Sequence, residues 1–254
     1  MAIDLNSDMG ESYGAYTIGA DEEILRFVTS ANVACGWHGG DPLVMRRTIQ
    51  RAKELGVRVG AHPGYPDLLG FGRRGMELTR QDARDYVLYQ IGALRAFGQA
   101  LGVTLQHVKP HGAMYNAAVK NRELSLGIAE GVAEAREDLV LVGPPDSELI
   151  RAGQEVGVRV AREAFGDRAY DEDGTLISRK IAGSLITDPD AVAERVLALT
   201  RGIAKTITGK EIRLAADTIC LHGDTPGAGT IARRVRERLE EAGITLRAMG
   251  EFVH

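Results

Sequence analysis

Glu54-Leu-Gly-Val-Arg-Val59, Ala100-Leu-Gly-Val-Thr-Leu105, Glu155-Val-Gly-Val-Arg-Val160 and Glu241-Ala-Gly-Ile-Thr-Leu246 are four versions of one phrase. Each reads as the end of a helix, a glycine in the left-handed capping position, and the start of an alternating β-branched run. Helix starts are marked as well. Asp41-Pro42 and Asp188-Pro189 place a capping aspartate before a proline at the first helical position. Thr79-Arg-Gln-Asp82 is a capping box with Asp in place of Glu. Between these marks Val87, Ile91 and Leu94 share one helix face, as do Ile231, Val235 and Leu239. Strands are predicted over about 2–6, 31–34, 57–61, 104–109, 139–143, 157–162 and 217–222. Strand and helix thus alternate about seven times. That pattern predicts a parallel sheet with helical crossovers, either a closed or nearly closed barrel or a doubly wound sheet. The stretch 163–186 has little helical period and reads as a long loop or an inserted hairpin. No Pro/Ser/Gly-rich linker divides the chain, so 1–254 reads as one domain.

Bulk composition narrows the function classes. The 254 residues are 44% hydrophobic and 26% charged, with a net charge of -4. A length of this kind suits one barrel, and the charge balance argues against nucleic acid or an anionic membrane surface as partner. The two cysteines, Cys35 and Cys220, fit neither a metal-finger spacing nor a disulfide framework. They read as small buried residues, and a reducing cytoplasm is the expected location. No basic-then-apolar leader and no run of 18 apolar residues is present, so neither secretion nor a membrane span is expected.

The functional signal lies in where the polar residues fall. Nearly every predicted strand runs into a loop dense in reactive side chains: Asn6-Ser-Asp-Met-Gly-Glu11, Cys35-Gly-Trp-His-Gly-Gly-Asp41, His62-Pro-Gly-Tyr-Pro-Asp67 continuing to Arg73-Arg74, Lys109-Pro-His-Gly112, Glu163-Ala-Phe-Gly-Asp-Arg168 and His222-Gly-Asp-Thr-Pro-Gly227. The opposite junctions are the bland Gly-Val turns. In parallel α/β folds the C-terminal strand ends converge on one face, where active sites lie. Four of the six histidines, His38, His62, His111 and His222, therefore meet in one cleft. For any single histidine a structural role bonding a neighbouring loop competes with this reading. Asp4 and His107 sit inside strands, and either the barrel interior or a capping position suits them. A Walker loop, a G-x-G-x-x-G turn, a G-x-S-x-G elbow and His-Glu-x-x-His are all absent. Any phosphate must be held otherwise, and the Gly-rich run 222–229 entering a helix is one candidate.

Five segments together resemble the LamB/YcsF family. They are Asn6-Ser-Asp-Met-Gly-Glu-Ser-Tyr-Gly14, Ala31-Asn-Val-Ala-Cys-Gly-Trp-His-Gly-Gly-Asp-Pro42, Gly60-Ala-His-Pro-Gly-Tyr-Pro-Asp67 with Gly70-Phe-Gly-Arg-Arg74, Val108-Lys-Pro-His-Gly-Ala-Met-Tyr-Asn116 and Cys220-Leu-His-Gly-Asp-Thr-Pro-Gly227. The resemblance spans Asp4 to about Phe252. Trp37 stands where the family is expected to have Phe, and Gly39 and Gly166 where Ala is expected; all three changes are conservative. The resemblance implies a seven-stranded, TIM-like (β/α) barrel similar to the glycoside hydrolase/deacetylase group. It implies the A subunit of an ATP-dependent 5-oxoprolinase, working with B and C subunits, with ATP as co-substrate accompanied by Mg²⁺ and 5-oxoproline as substrate. Some deacetylases of that group hold a metal with Asp and His. Asp8 and His62 take loosely similar places, but the second His of that pattern is not evident, so a metal stays an open question.

The chemistry expected of such a site assigns the loop residues to roles. Asp8 or Glu11 serves as base or water-positioning group, His62 or His111 moves protons, and Lys109 stabilises negative charge. Arg73 and Arg74 are candidates for a substrate carboxylate, which a planar guanidinium fork suits. His38, Glu163, Asp167, His222 and Asp224 are the remaining candidates for binding substrate or phosphate. The alternative expectation is a metal-dependent deacetylase or amidohydrolase that needs no ATP.

Overall fold

The computed structural model describes residues 2–136, 138–225 and 227–254. In chain order its strands are β1 (Ala2–Met9), β2 (Ser30–Ala34), β3 (Arg58–His62), β4 (His107–Val108), β5 (Val140–Gly143), β6 (Arg159–Phe165), β7 (Ile203–Lys205), β8 (Glu211–Arg213), β9 (Thr218–Cys220) and β10 (Thr245–Leu246). The helices are α1 (Asp21–Ile24), α2 (Pro42–Glu54), α3 (Arg80–Leu101), α4 (Gly112–Ala118), α5 (Arg122–Glu134), α6 (Glu148–Val156), α7 (Pro189–Thr200) and α8 (Ala228–Glu241). Seven strands pair in parallel in the order β1-β2-β3-β4-β5-β6-β9, and β9 closes the ring on β1. Of the two topologies the sequence allows, the closed seven-stranded barrel is the one formed. β10 bonds β1 at Ala2 and Ile3, just below the point where β9 takes over at Asp4.

Local chemistry explains the element boundaries. Asp41 accepts from the amides of Leu43 and Val44, Thr79 closes a capping box with Asp82, and Asp188 accepts from Ala191. Gly102 and Gly157 end α3 and α6 in the left-handed region, at φ 65° and 82°. Period-two alternation then sorts each strand. Along β1, Ile3, Leu5 and Met9 belong to the apolar core, while Asp4 and Asn6 hydrogen-bond across the strands with other buried polar side chains.

Three features differ from the sequence expectation. β1 runs to Met9 and β6 to Phe165, so Asp8 and Glu163 are strand residues and not loop residues. β4 has two residues, although Gln106 N–Val59 O (2.8 Å) and Lys109 N–Ala61 O (2.9 Å) carry the bonding either side of it. The stretch 163–186 begins as the end of β6. It then folds through single antiparallel bridges, Arg168–Leu185 and Tyr170–Leu176, against an unanticipated antiparallel hairpin of β7 and β8. Among the described residues no helix is long and apolar enough to cross a membrane.

The barrel interior is a layered polar network. Asp4 accepts from the hydroxyls of Thr29 and Ser30 (2.6 Å each) and of Thr218. Asn6 donates to Thr218 Oγ1 (2.7 Å) and Glu163 Oε1 (2.9 Å). Asn32 donates to Asn6 Oδ1 (2.7 Å) and Asp8 Oδ1 (2.8 Å), and its own oxygen accepts from His107 Nε2 (2.7 Å). Asp4 and His107 thus both lie inside the barrel. The chain of bonds climbs from the floor to Asp8 at the mouth.

Candidate active site

A cavity of about 1170 Å³ opens at the C-terminal ends of the barrel strands, with Asp8, Glu11, His62, Lys109, His111 and Glu163 in its wall. Lys109 is tied into that wall on several sides. Its Nζ lies 2.8 Å from Asp8 Oδ1, 2.9 Å from Glu163 Oε1, 3.2 Å from Cys220 Sγ and 3.4 Å from Asn6 Oδ1. Burial opposes charge on this amine, but Asp8 and Glu163 outweigh it and hold Lys109 well above its ordinary value. Burial likewise opposes charge on Asp8, yet His62 and Lys109 hold its carboxyl well below the usual range. The pair is therefore ionised, ammonium against carboxylate, at a wall that faces the cavity.

A second group stands beside it. Glu11 Oε1 is 3.2 Å from His38 Nε2, 3.2 Å from His111 Nδ1 and 3.9 Å from His62 Nε2. His62 Nε2 is 3.0 Å from His111 Nδ1 and 3.5 Å from Asp8 Oδ1. The His38 and His111 rings stack with centroids 3.7 Å apart and planes within 5°. Burial drives the His38 imidazole down to about 3, so it is neutral. For His62, burial pulls the same way, but Asp8 overrides it and the net shift is upward.

Close to Asp8 and Cys220, Asp167 orients His222. Its carboxylate lies 2.8 Å from His222 Nδ1 and accepts the Thr225 hydroxyl at 3.2 Å. The His222 ring packs on Phe165, with planes 17° apart. At the rim Arg73 and Arg179 both bond Asp224 Oδ2, at 2.9 and 2.8 Å. Two guanidinium groups on one carboxylate leave a positive excess facing the cavity, which suits an anionic ligand.

The sequence candidates are thus unequal in position. Asp8, Glu11, His62, Arg73, Lys109, His111, Glu163, His222 and Asp224 line the cavity. His38 and Asp167 are buried behind it, each holding a lining residue. Arg74 points elsewhere: its guanidinium is bound to Asp67, and it lies outside the cavity wall. The Gly-rich run 222–229 splits too. Gly223 and Asp224 line the cavity, Gly227 caps α8, and the Glu23 side chain packs against Gly229. The helix start read at Thr225-Pro226 depends on Pro226, which lies outside the described residues. Both cysteines are buried, and burial pushes the Cys35 thiol up to about 12 and that of Cys220 well above its ordinary value. Neither is a ready nucleophile.

Several lining residues gave no sequence signal. Arg179 comes from the aperiodic stretch 163–186, and Tyr170 reaches the wall from the same segment. Tyr115 stands in the Val108–Asn116 motif, but nothing in that motif marks it as a wall residue. Burial, then the Glu163 charge, hold its phenol well above the ordinary value and keep it protonated.

Comparison with known proteins agrees with this fold. The profile of the LamB/YcsF family matches residues 3–254. The chain is 54% identical over 254 residues to the A subunit of 5-oxoprolinase from Thermococcus sibiricus, covering all of both chains. It is 52% identical over 247 residues to that of Bacillus licheniformis, covering 97% of this chain and 98% of the relative. A crystal structure of a lactam utilization protein from Thermus thermophilus superposes with a TM-score of 0.92 at 48% identity, covering 98% of this chain and all of that one.

Proposed function

The chain belongs to the LamB/YcsF family, and from that premise we propose that it is the A subunit of an ATP-dependent 5-oxoprolinase. In this reading it opens the lactam of 5-oxoproline to L-glutamate while ATP becomes ADP and phosphate. The B and C subunits are its partners, Mg²⁺ accompanies the nucleotide, and the cytoplasm is its location. One observation carries the reading. A buried, ionised Lys109–Asp8 pair faces a cavity with an anion-ready rim, in a chain more than half identical to proteins named as the A subunit of 5-oxoprolinase.

A lactam carbonyl is a poor electrophile. Transfer of the γ-phosphoryl group to the lactam oxygen breaks the terminal P–O bond of ATP and makes that oxygen a leaving group. Water then adds to the ring carbon and gives up a proton to Asp8 or Glu11. Lys109 steadies negative charge on oxygen. The C–N bond breaks as the ring nitrogen takes a proton from His62 or His111. The acyl phosphate that results is hydrolysed by a second water, releasing glutamate and phosphate. Arg73 and Arg179 hold the substrate carboxylate or a phosphate at the rim. Mixing purified A, B and C chains with ATP and 5-oxoproline tests this. Glutamate and phosphate are expected in equal amounts and only from the full mixture, whereas full turnover by the A chain alone would overturn the three-chain reading.

The cluster of Glu11, His62 and His111 favours a second reading, a metal-dependent amidohydrolase or deacetylase. It predicts hydrolysis by the A chain alone, without ATP and sensitive to chelators.

A further inference from the structure

We infer that Glu11, His62 and His111 form a binding site for one divalent first-row transition ion of the zinc type, with Asp8 at its open edge. The inference goes beyond the ATP-coupled reading and does not depend on it; with the ion bound, Glu11, His62 and His111 serve as ligands and Asp8 is left as the base. It begins with where the protons must be. His62 Nδ1 lies 2.7 Å from the Lys109 carbonyl oxygen, so Nδ1 carries the hydrogen. His111 Nε2 lies 2.8 Å from the Phe71 carbonyl oxygen, so there Nε2 carries it. In the neutral rings the lone pairs then sit on His62 Nε2 and His111 Nδ1. These two atoms face each other at 3.0 Å, and Glu11 Oε1, also an acceptor, completes the triangle at 3.2 and 3.9 Å.

Three acceptors aimed at one point repel unless something positive stands among them. Their spacing fits an ion. Tetrahedral ligands at zinc-type bond lengths are separated by about 3.3 Å. Ring nitrogens whose other N–H is donated to a backbone carbonyl are the usual arrangement around a bound metal, because that bond fixes the tautomer and aims the free lone pair. Two imidazoles with one carboxylate suit zinc, iron(II), cobalt or nickel better than magnesium, which prefers oxygen. The fourth histidine has a separate task. His38 places Nε2 on Glu11 Oε1, and its buried Nδ1 has no partner among the described residues, so it acts as a positioning residue that donates one hydrogen bond to the carboxylate.

The surrounding backbone is shaped to press on these rings. A Cβ at Gly64 would stand 2.7 Å from His38 Nδ1, and one at Gly72 would stand 2.7 Å from His111 Cδ2. Phe71, whose carbonyl anchors His111, holds a positive φ of 54°. Strain of that kind in a non-glycine residue persists where the structure requires it. Asp8 Oδ1, 3.5 Å from His62 Nε2, lies on the cavity side and leaves that face of the site open. A bound ion there would polarise a carbonyl oxygen or acidify a water.

The rival to an ion is a proton shared among the same atoms, and a binding experiment separates them. Untagged A chain, freed of metal with a chelator, is titrated with Zn²⁺ and with Co²⁺ in the absence of ATP and partners. One ion per chain is expected, with the visible absorption of a low-coordinate nitrogen–oxygen Co²⁺ site and a rise in Tm. Glu11→Gln and His111→Ala should each weaken binding at least about tenfold. Glu11→Gln keeps the side-chain shape, so it serves even where His111→Ala fails to fold. Substoichiometric binding, or unchanged affinity in Glu11→Gln, overturns the inference. So does loss of the ion in Cys220→Ala alone, which would move the site to the neighbouring Asp8–Cys220–His222 group. ATP-coupled turnover with B and C is read separately, so either result can fail without the other.

Discussion

The floor and the mouth of the barrel are built from the same kinds of residue, yet they are finished differently. At the floor Asp4, Asn6, Asn32 and Thr218 bond to one another. His107 finds Asn32 on one nitrogen and Gln106 on the other, at 2.7 and 3.1 Å. At the mouth His38 Nδ1 is unpaired among the described residues, and Glu11, His62 and His111 point acceptors at a shared centre. A polar network closed on itself holds a fold together. A network left open needs a ligand, and polar groups of that kind carry chemistry.

The largest expected effect comes from the hinge between the two regions. Lys109→Met leaves the buried Glu163 and the part-buried Asp8 without the ammonium that stands between them. We expect a loss of about 3–5 kcal/mol in urea unfolding together with loss of turnover in the reconstituted enzyme. Native stability in this variant would show that the mouth does not depend on the pair. Next comes the floor. A Cβ at Gly60 would stand 2.3 Å from the His107 ring. Gly60→Ala should therefore cost about 3 kcal/mol by overpacking. An unchanged unfolding midpoint would mean that the floor is looser than its bonds imply.

A smaller, pH-dependent effect sits at Asp4. Burial raises its carboxyl to about 6, above the ordinary 3.8, outweighing the hydrogen bonds from Ser30, Thr218 and Thr29. The native state thus holds this proton more tightly than the unfolded chain. The contribution is fully present below about pH 4 and is lost as pH rises through about 6, by about 3 kcal/mol at most. Asp4→Asn should remove this slope from the stability–pH curve, and a curve parallel to the wild type would count against it. The smallest effect is expected at the two neighbouring arginines. Arg74→Ala should leave KM for 5-oxoproline within about twofold, because its pair with Asp67, exposed only on the arginine side, lies off the cavity. Arg73→Ala should raise KM by loosening the rim, and equal KM values for the two would contradict the assignment.

Much of this was legible in the sequence because local chemistry and tertiary structure agree. The Gly-Val phrases, the Asp-Pro helix starts and the Thr79 box are short-range signals, and they formed as read except that the run after Gly102 becomes strand only at His107-Val108. The convergence of His62, His111 and Lys109 followed from strand ends meeting on one face. What escaped was set by distant partners. The inward turn of Asn6, Asn32 and Thr218 depends on barrel closure, which no local pattern states. The place of Arg179 depends on how an aperiodic segment folds over the mouth. The separation of Arg73 from Arg74 was hidden for a related reason: adjacent side chains diverge, and only the position of Asp67 decides which one is taken. His38 was visible as a loop residue, but its service to Glu11 required the stacked rings.

The division between a closed floor and a reactive mouth is tested most directly at Asp8, where the two meet. Turnover of 5-oxoproline by the A, B and C chains with ATP is measured with wild-type A chain and with Asp8→Ala, alongside the circular dichroism spectrum of each. The account predicts a fall of at least about 10²-fold with an unchanged spectrum. Wild-type turnover by Asp8→Ala would remove Asp8 from the chemistry and contradict it.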